Sequence, residues 1–302
     1  MKREKLVSLF ISNSLRIIVP LGVLAVIGIS AILGITFYKI SYPAPTAEPT
    51  NPSFYMLESS DIEVTSEDGD RVYGWWIPAE SSTSAILLAP GYGMSRSDAL
   101  SLSAELNKRG FNTFIYAPRG STASRKRSST FGLKEKNEIL VALQFIKKGI
   151  GNDHPEIGVW GVDVGAYAAL WAATTVPEVQ AVVVDSVYAS IPDFINIRIQ
   201  EELDTGNRFL RFGCRQIFRL IYITSGSFRE NKIPVKRLSD CSFLFITGDN
   251  REALKLLSMD LYNEIPSKKE IVPFPESRIR LMEGNELHNY DLTVADFFER
   301  SL

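Results

Sequence analysis

Glu156-Ile157-Gly158-Val159-Trp160-Gly161-Val162-Asp163-Val164-Gly165-Ala166 is the stretch that decides the fold. Residues 156–160 read as a strand, and an apolar helix begins near Ala166. A strand that folds into a helix across so short a turn lifts one side chain above the sheet edge. Gly161 and Gly165 flank the raised position at the places where a Cβ would block the turn. The raised residue is Asp163, where the G-x-S-x-G form of this turn carries a nucleophilic Ser. The turn is intact, and the chemistry at its centre is changed.

Outward from this turn, strands alternate with helices. Residues 61–65 and 71–77 read as a β-hairpin around the turn at Glu67-Asp68-Gly69-Asp70. Short apolar runs at 85–89, 112–116, 179–184, 242–246 and 270–274 predict strands buried on both faces. Helices are expected at 97–109, ended by Gly110, at 134–148, and at 294–299. Such alternation implies a mainly parallel sheet with helices on both faces. Residues 186–240 interrupt the pattern as a helical, aromatic insertion, with 191–229 largely helical, expected to lie over the strand C-termini where open α/β sheets bind ligands.

Ahead of this domain the composition changes. Residues 17–38 are uncharged and mostly apolar, long enough for a helix to cross a hydrocarbon core of about 30 Å. The run exceeds a signal-peptide core, and no A-x-A-like site follows, so an uncleaved anchor is expected. Lys2, Arg3, Lys5 and Arg16 precede the span, which places residues 1–16 in the cytoplasm and the main domain on the far side. Residues 39–60, rich in proline, read as a stiff tether, and residues 61–302 as the globular domain. A formal net charge of −2 gives no reason to expect nucleic acid as a partner. Cys214 and Cys241 can pair or stay separate, and the two cysteines and two histidines show no metal-ligand spacing. Neither a metal nor a cofactor is expected.

Several short motifs stand in a fixed order: residues 74–78, Gly91 to Asp98, Arg119-Gly120, Gly132 with Glu135 and Glu138, the elbow, Asp185-Ser186, and His288-Asn289. In this order and spacing they resemble the α/β-hydrolases, and more narrowly the membrane-anchored branch related to serine aminopeptidases and prolyl-oligopeptidase-type hydrolases, and the resemblance covers roughly residues 60–302. The resemblance implies an α/β-hydrolase fold behind one N-terminal transmembrane helix. It also implies Asp163 at the nucleophile position, His288 at the base position, and Gly91, Tyr92 and Val164 around the oxyanion pocket. The family's acid position holds Arg251, so Asp249 and Asp185 are the candidate acids, with Glu252 beside them. Pro90-Gly91 replaces the usual His-Gly, and Ala117-Pro118-Arg119-Gly120 departs from the usual Asp-x-Arg-Gly. His154 and Arg125-Lys126-Arg127 read as surface turns, and Trp75, Trp76 and Trp160 as core.

Aspartate cannot replace serine in acyl transfer, because its attack on an ester gives an anhydride rather than a stable acyl-enzyme. Two functions follow. One is a membrane-tethered hydrolase-like protein without ordinary esterase or peptidase activity, whose pocket takes a small-molecule, lipid or peptide ligand. The other is an active hydrolase in which Asp163 attacks an sp³ carbon, as in haloalkane dehalogenases and epoxide hydrolases, and His288 activates the water. The second function requires His288 beside Asp163 with a carboxylate behind it.

Overall fold

In the computed structural model, residues 2–302 are described except 45, 67–68, 70, 126, 151–154, 204–206, 225–231, 239 and 278. His154, Lys126 and most of the expected turn at 67–70 therefore lie outside the described residues. One sheet organises the domain: β1 (Ser60–Thr65), β2 (Arg71–Ile77), β3 (Ser84–Ala89), β4 (Asn112–Tyr116), β5 (Glu156–Val162), β6 (Val179–Asp185), β7 (Ser242–Gly248) and β8 (Lys269–Phe274). Its spatial order is β1-β2-β4-β3-β5-β6-β7-β8. β1 and β2 pair antiparallel, as do β2 and β4, and every later pairing is parallel.

The helices are α1 (Lys2–Ser41), α2 (Leu100–Lys108), α3 (Glu135–Ile150), α4 (Val164–Ala173), α5 (Ile191–Leu203), α6 (Arg208–Thr224), α7 (Glu252–Glu264) and α8 (Gly284–Ser301). One apolar layer packs α3 and α4 on the sheet through Ile139, Leu143, Ala166 and Leu170; the other packs α2 and α8 through Leu102, Leu106, Val294 and Phe298. β5 is central, so alternate residues serve opposite layers. Val159 faces the first, and Trp160, whose indole N–H donates to the Tyr290 hydroxyl at 3.0 Å, faces the second.

The expected helix at 97–109 divides into a 3₁₀ turn, Arg96–Ala99, and α2, because Ser95 and Asp98 cap each other's backbone reciprocally. The insertion forms α5 and α6. The last helix starts ten residues before the expected Val294, at Gly284. No helix breaker stands between Glu286 and Val294, and Tyr290, Asp291, Val294 and Phe298 form its buried face, with Leu287 half-buried beside them. Cys214 and Cys241 are both free and buried, and the Cys241 thiol donates to the Val179 carbonyl at 2.9 Å.

Within α1, Ile18–Ser41 is 24 residues long with mean hydropathy 2.6, sufficient to cross a membrane. The chain after it packs on the domain. The Thr46 hydroxyl donates to the Gly93 carbonyl at 2.7 Å, and Arg96 grips both oxygens of Glu48 at 2.8 Å. The stretch read as a tether therefore lies across the carboxyl edge of the sheet, near the elbow.

Candidate functional site

At the carboxyl end of β5, Asp163 has φ +38° and ψ −98°, a conformation that L side chains rarely adopt and that close packing imposes. A Cβ on Gly165 would lie 1.9 Å from the Ala89 carbonyl oxygen, and one on Gly161 would lie 2.4 Å from the Gly165 backbone. The two flanking glycines are thus sterically required, as the sequence implied. Tyr167 N donates back to the Asp163 carbonyl at 2.9 Å, starting α4.

The carboxylate is buried, and each of its oxygens has a partner. Oδ1 accepts the Tyr92 backbone N–H at 2.7 Å and that of Val164, the residue that follows it. These two amides, one from the loop after β3 and one at the start of α4, are the donor pair that an oxyanion hole is built from. Here the protein's own carboxylate accepts from both. Gly91 makes this approach feasible, since a Cβ there would stand 2.6 Å from Asp163 Oδ1. Pro90, which lacks an N–H, takes nothing from the pair.

Oδ2 faces Arg251, with the Nη1–Oδ2 distance 3.5 Å and both side chains buried. Nη2 lies 3.9 Å from Glu201 on α5. The guanidinium enters from the loop between β7 and α7, where the family resemblance places the triad acid. Asp163 and Arg251, which the resemblance sets at the nucleophile and acid positions, therefore face each other as a carboxyl and a guanidinium. Burial pushes the Asp163 pKa up, while Arg251 first, and then the Tyr92 and Val164 amides, pull it back. Desolvation wins, as expected where the counter-charge sits beyond ideal hydrogen-bond reach.

The other expected participants lie elsewhere. His288 is exposed on α8, makes no hydrogen bond with a described residue, and does not line the cavity beside Asp163. Its position follows from the phase of α8: Tyr290 and Asp291 are buried, so residue 288 points outward. Asp249 is exposed and pairs with Lys255 at 2.6 Å. Glu252 is exposed at the start of α7. Asp185 is buried at the end of β6, accepting from the Ser186 hydroxyl at 2.9 Å and the Tyr290 hydroxyl at 3.0 Å. Burial raises its pKa to about 7. Its main-chain carbonyl takes the Asp163 N–H at 2.9 Å, so it braces the elbow from below. The structure thus brings Asp163, Tyr92, Val164 and Gly91 together and leaves His288 and Asp249 apart from them.

A cavity of about 510 Å³ opens above Asp163. Val162, Met94 and Leu281 supply apolar wall, Arg198 and Arg280 supply charge, and Tyr42 and Pro43 close one side. Arg198 stacks over the Tyr92 ring at 4.4 Å. Sequence reasoning did not place Arg198, Tyr42 or Pro43 at this site. The Arg119 and Glu138 motif residues form a separate buried network in which Arg119 and Arg127 reach Glu138 at 2.6 and 2.7 Å. Arg127, expected on a surface turn, is thereby structural.

No protein-family model matches the chain. Over 120 residues it is 28% identical to the polyketide transferase grgF of Penicillium sp, covering 39% of this chain and 41% of that protein. Over 150 residues it is 33% identical to dipeptidyl peptidase family member 6 of Caenorhabditis elegans, covering 45% of this chain and 19% of the relative. The chain thus aligns with less than half the length of either. Among solved structures, the esterase Pf2001 of Pyrococcus furiosus superposes with a TM-score of 0.66 at 22% identity, covering 87% of this chain and 99% of the esterase. The α/β-hydrolase GrgF superposes with a TM-score of 0.60 at 17% identity, covering 81% and 99%. The chain has the α/β-hydrolase fold.

Proposed function

We infer that this chain is a membrane-anchored α/β-hydrolase-like protein that has given up serine-esterase and peptidase chemistry and kept its pocket for binding. One observation carries this reading. Asp163 Oδ1 occupies both backbone donors at the elbow while Oδ2 faces Arg251. An ester carbonyl has no vacant donor pair to polarise it and no hydroxyl to attack it. The cavity of about 510 Å³ is of the size that takes a small molecule. In this reading α1 is the anchor, residues 1–16 are cytoplasmic, and the domain from residue 61 onward lies on the other side.

The alternative, attack by Asp163 on an sp³ carbon, draws support from the same two amides, which would hold one oxygen while the other attacks. Against it stand the guanidinium facing that other oxygen and the exposure of His288 on α8. An alkyl-enzyme ester formed here would lack the base that hydrolyses it.

The test is p-nitrophenyl acetate hydrolysis by the full chain in detergent, beside Asp163→Ser and His288→Ala. The expected result is background rate for all three, with no burst from the Ser variant, because His288 is not beside residue 163. Turnover by the parent that His288→Ala abolishes would overturn the reading.

A further inference from the structure

α1 changes character along its length. Residues 18–32 are exposed on every side, whereas from Leu33 onward one face packs on the domain. That face is Leu33, Thr36, Phe37 and Ile40, spaced as one side of a helix. Its main partner is α6. Leu33 lies 3.1 Å from where a Cβ on Gly213 would stand, and the Phe37 and Phe218 rings are 4.9 Å apart.

Arg16 is the last charge before the span. A hydrocarbon core of about 30 Å takes roughly 20 residues at ~1.5 Å each. Counted from residue 17, the core ends near Thr36, within the stretch that α6 crosses. The exposed Tyr38 and Tyr42, stacked with ring centroids 4.9 Å apart, stand at the same level, where interfacial aromatic residues gather.

What α6 presents there suits a headgroup layer and ill suits water. Phe209, Phe212 and Leu220 are 88%, 61% and 65% exposed. Arg208, Arg215 and Arg219 are exposed on the same side, and none of them pairs with a carboxylate among the described residues. At ~100° per residue, positions 208, 212, 215 and 219 fall in an arc of about 60°, with 209, 216 and 220 beside it. Cys214 and Phe218, on the opposite side, are buried and hold the helix at this height.

We propose that α6 lies in the headgroup layer on the domain side of the bilayer and binds anionic phospholipid. This rests on the reading of α1 as a membrane span. Phe209, Phe212 and Leu220 enter the acyl boundary while the three guanidinium groups meet lipid phosphates. Bidentate pairing and the attraction of an anionic surface act together there, each arginine strengthening binding roughly fivefold. The cavity above Asp163, whose wall includes Tyr42 and Pro43, is then held next to the lipid surface.

The test uses the full chain in nanodiscs, with a bimane label placed at Val26→Cys, Gln216→Cys or Glu299→Cys. Cys214 and Cys241 are buried, which directs labelling to the introduced thiol. The quenchers are doxyl lipids labelled at shallow and deep acyl positions. Strong quenching at 26 and 216, several-fold above that at 299, is expected. Quenching at 216 should rise when a third of the phosphatidylcholine is replaced by phosphatidylglycerol. Arg208→Gln, Arg215→Gln and Arg219→Gln together should erase that rise.

Quenching at 26 with 216 no different from 299 would overturn the proposal and leave the span intact; α6 would then face water or a protein partner. No quenching at 26 would remove the span and the proposal with it. Quenching at 216 that ignores both phosphatidylglycerol and the arginines would overturn the anionic-lipid assignment.

Discussion

Arg251→Met leaves Asp163 buried with its two amide donors and without its counter-charge. At 3.5 Å and an effective dielectric near 20, the pair's Coulomb energy is 332/(20 × 3.5), about 5 kcal/mol. The retained Tyr92 and Val164 amides, and proton uptake by a carboxyl already pushed upward, limit the loss to about 3 kcal/mol, the lower end for breaking a buried pair. Asp163→Asn strands Arg251 instead. Nη2 keeps Glu201 at 3.9 Å, while Nε has no hydrogen-bond partner among the described residues. That variant should lose about 2–3 kcal/mol.

The double variant removes both charges and should lie within about 1 kcal/mol of the parent, giving a coupling of about 4 kcal/mol. The assay is urea unfolding of the full chain in detergent, followed by tryptophan fluorescence at constant m. The pH dependence has a definite sign. Removing Arg251 raises the folded-state pKa of Asp163 further above its unfolded value, so the loss in Arg251→Met should be smaller at pH 5 than at pH 8. Single losses that simply add in the double variant, within about 0.5 kcal/mol, would refute the pairing of Asp163 with Arg251.

Two further outcomes follow from the same packing. Asp185 and Asp291 are buried with pKa values of about 7, against 3.8 for an ordinary Asp. The folded state therefore holds protons that the unfolded state releases above pH 4, and stability falls as pH rises toward 7, by about 1.4 kcal/mol per unit for each group. Tm should be lower at pH 8 than at pH 5, and Asp291→Asn, which keeps the shape without the charge, should flatten the slope; a Tm that rises over this range contradicts the argument. Gly165→Ala should prevent folding, since its Cβ would sit 1.9 Å from the Ala89 carbonyl oxygen; a soluble, cooperatively unfolding variant would show that the elbow yields to a Cβ.

The sheet was legible because buried strands such as 85–89 and 179–184 are short apolar runs bounded by turns, a pattern that burial on both faces enforces. The elbow was legible because steric necessity writes itself as glycine at 161 and 165. The role of His288 was not. A histidine late in the chain matches the base position by order alone, while the phase of α8 is set by Tyr290, which reaches both Trp160 and Asp185. The Asp163–Arg251 pair was half legible. Both departures stood in the sequence, and their opposite signs were the available signal, but only the meeting of the β5 and β7 loops joins them. The residues after α1 misled in another way. Prolines at 43, 45, 49 and 52 predict an extended spacer, and nothing local announces that Glu48 will meet Arg96 or that Thr46 will meet Gly93.

The central claim is that the elbow carboxylate is a structural charge and not a nucleophile. Its most direct test is intact-protein mass spectrometry of the full chain after incubation with a panel of bromoalkanes, terminal epoxides and p-nitrophenyl esters, with peptide mapping of residue 163. The account predicts an unmodified Asp163 and no turnover of any substrate. An alkyl adduct on Asp163, accumulating in His288→Ala and cleared in the parent, would contradict it and establish displacement chemistry at this site.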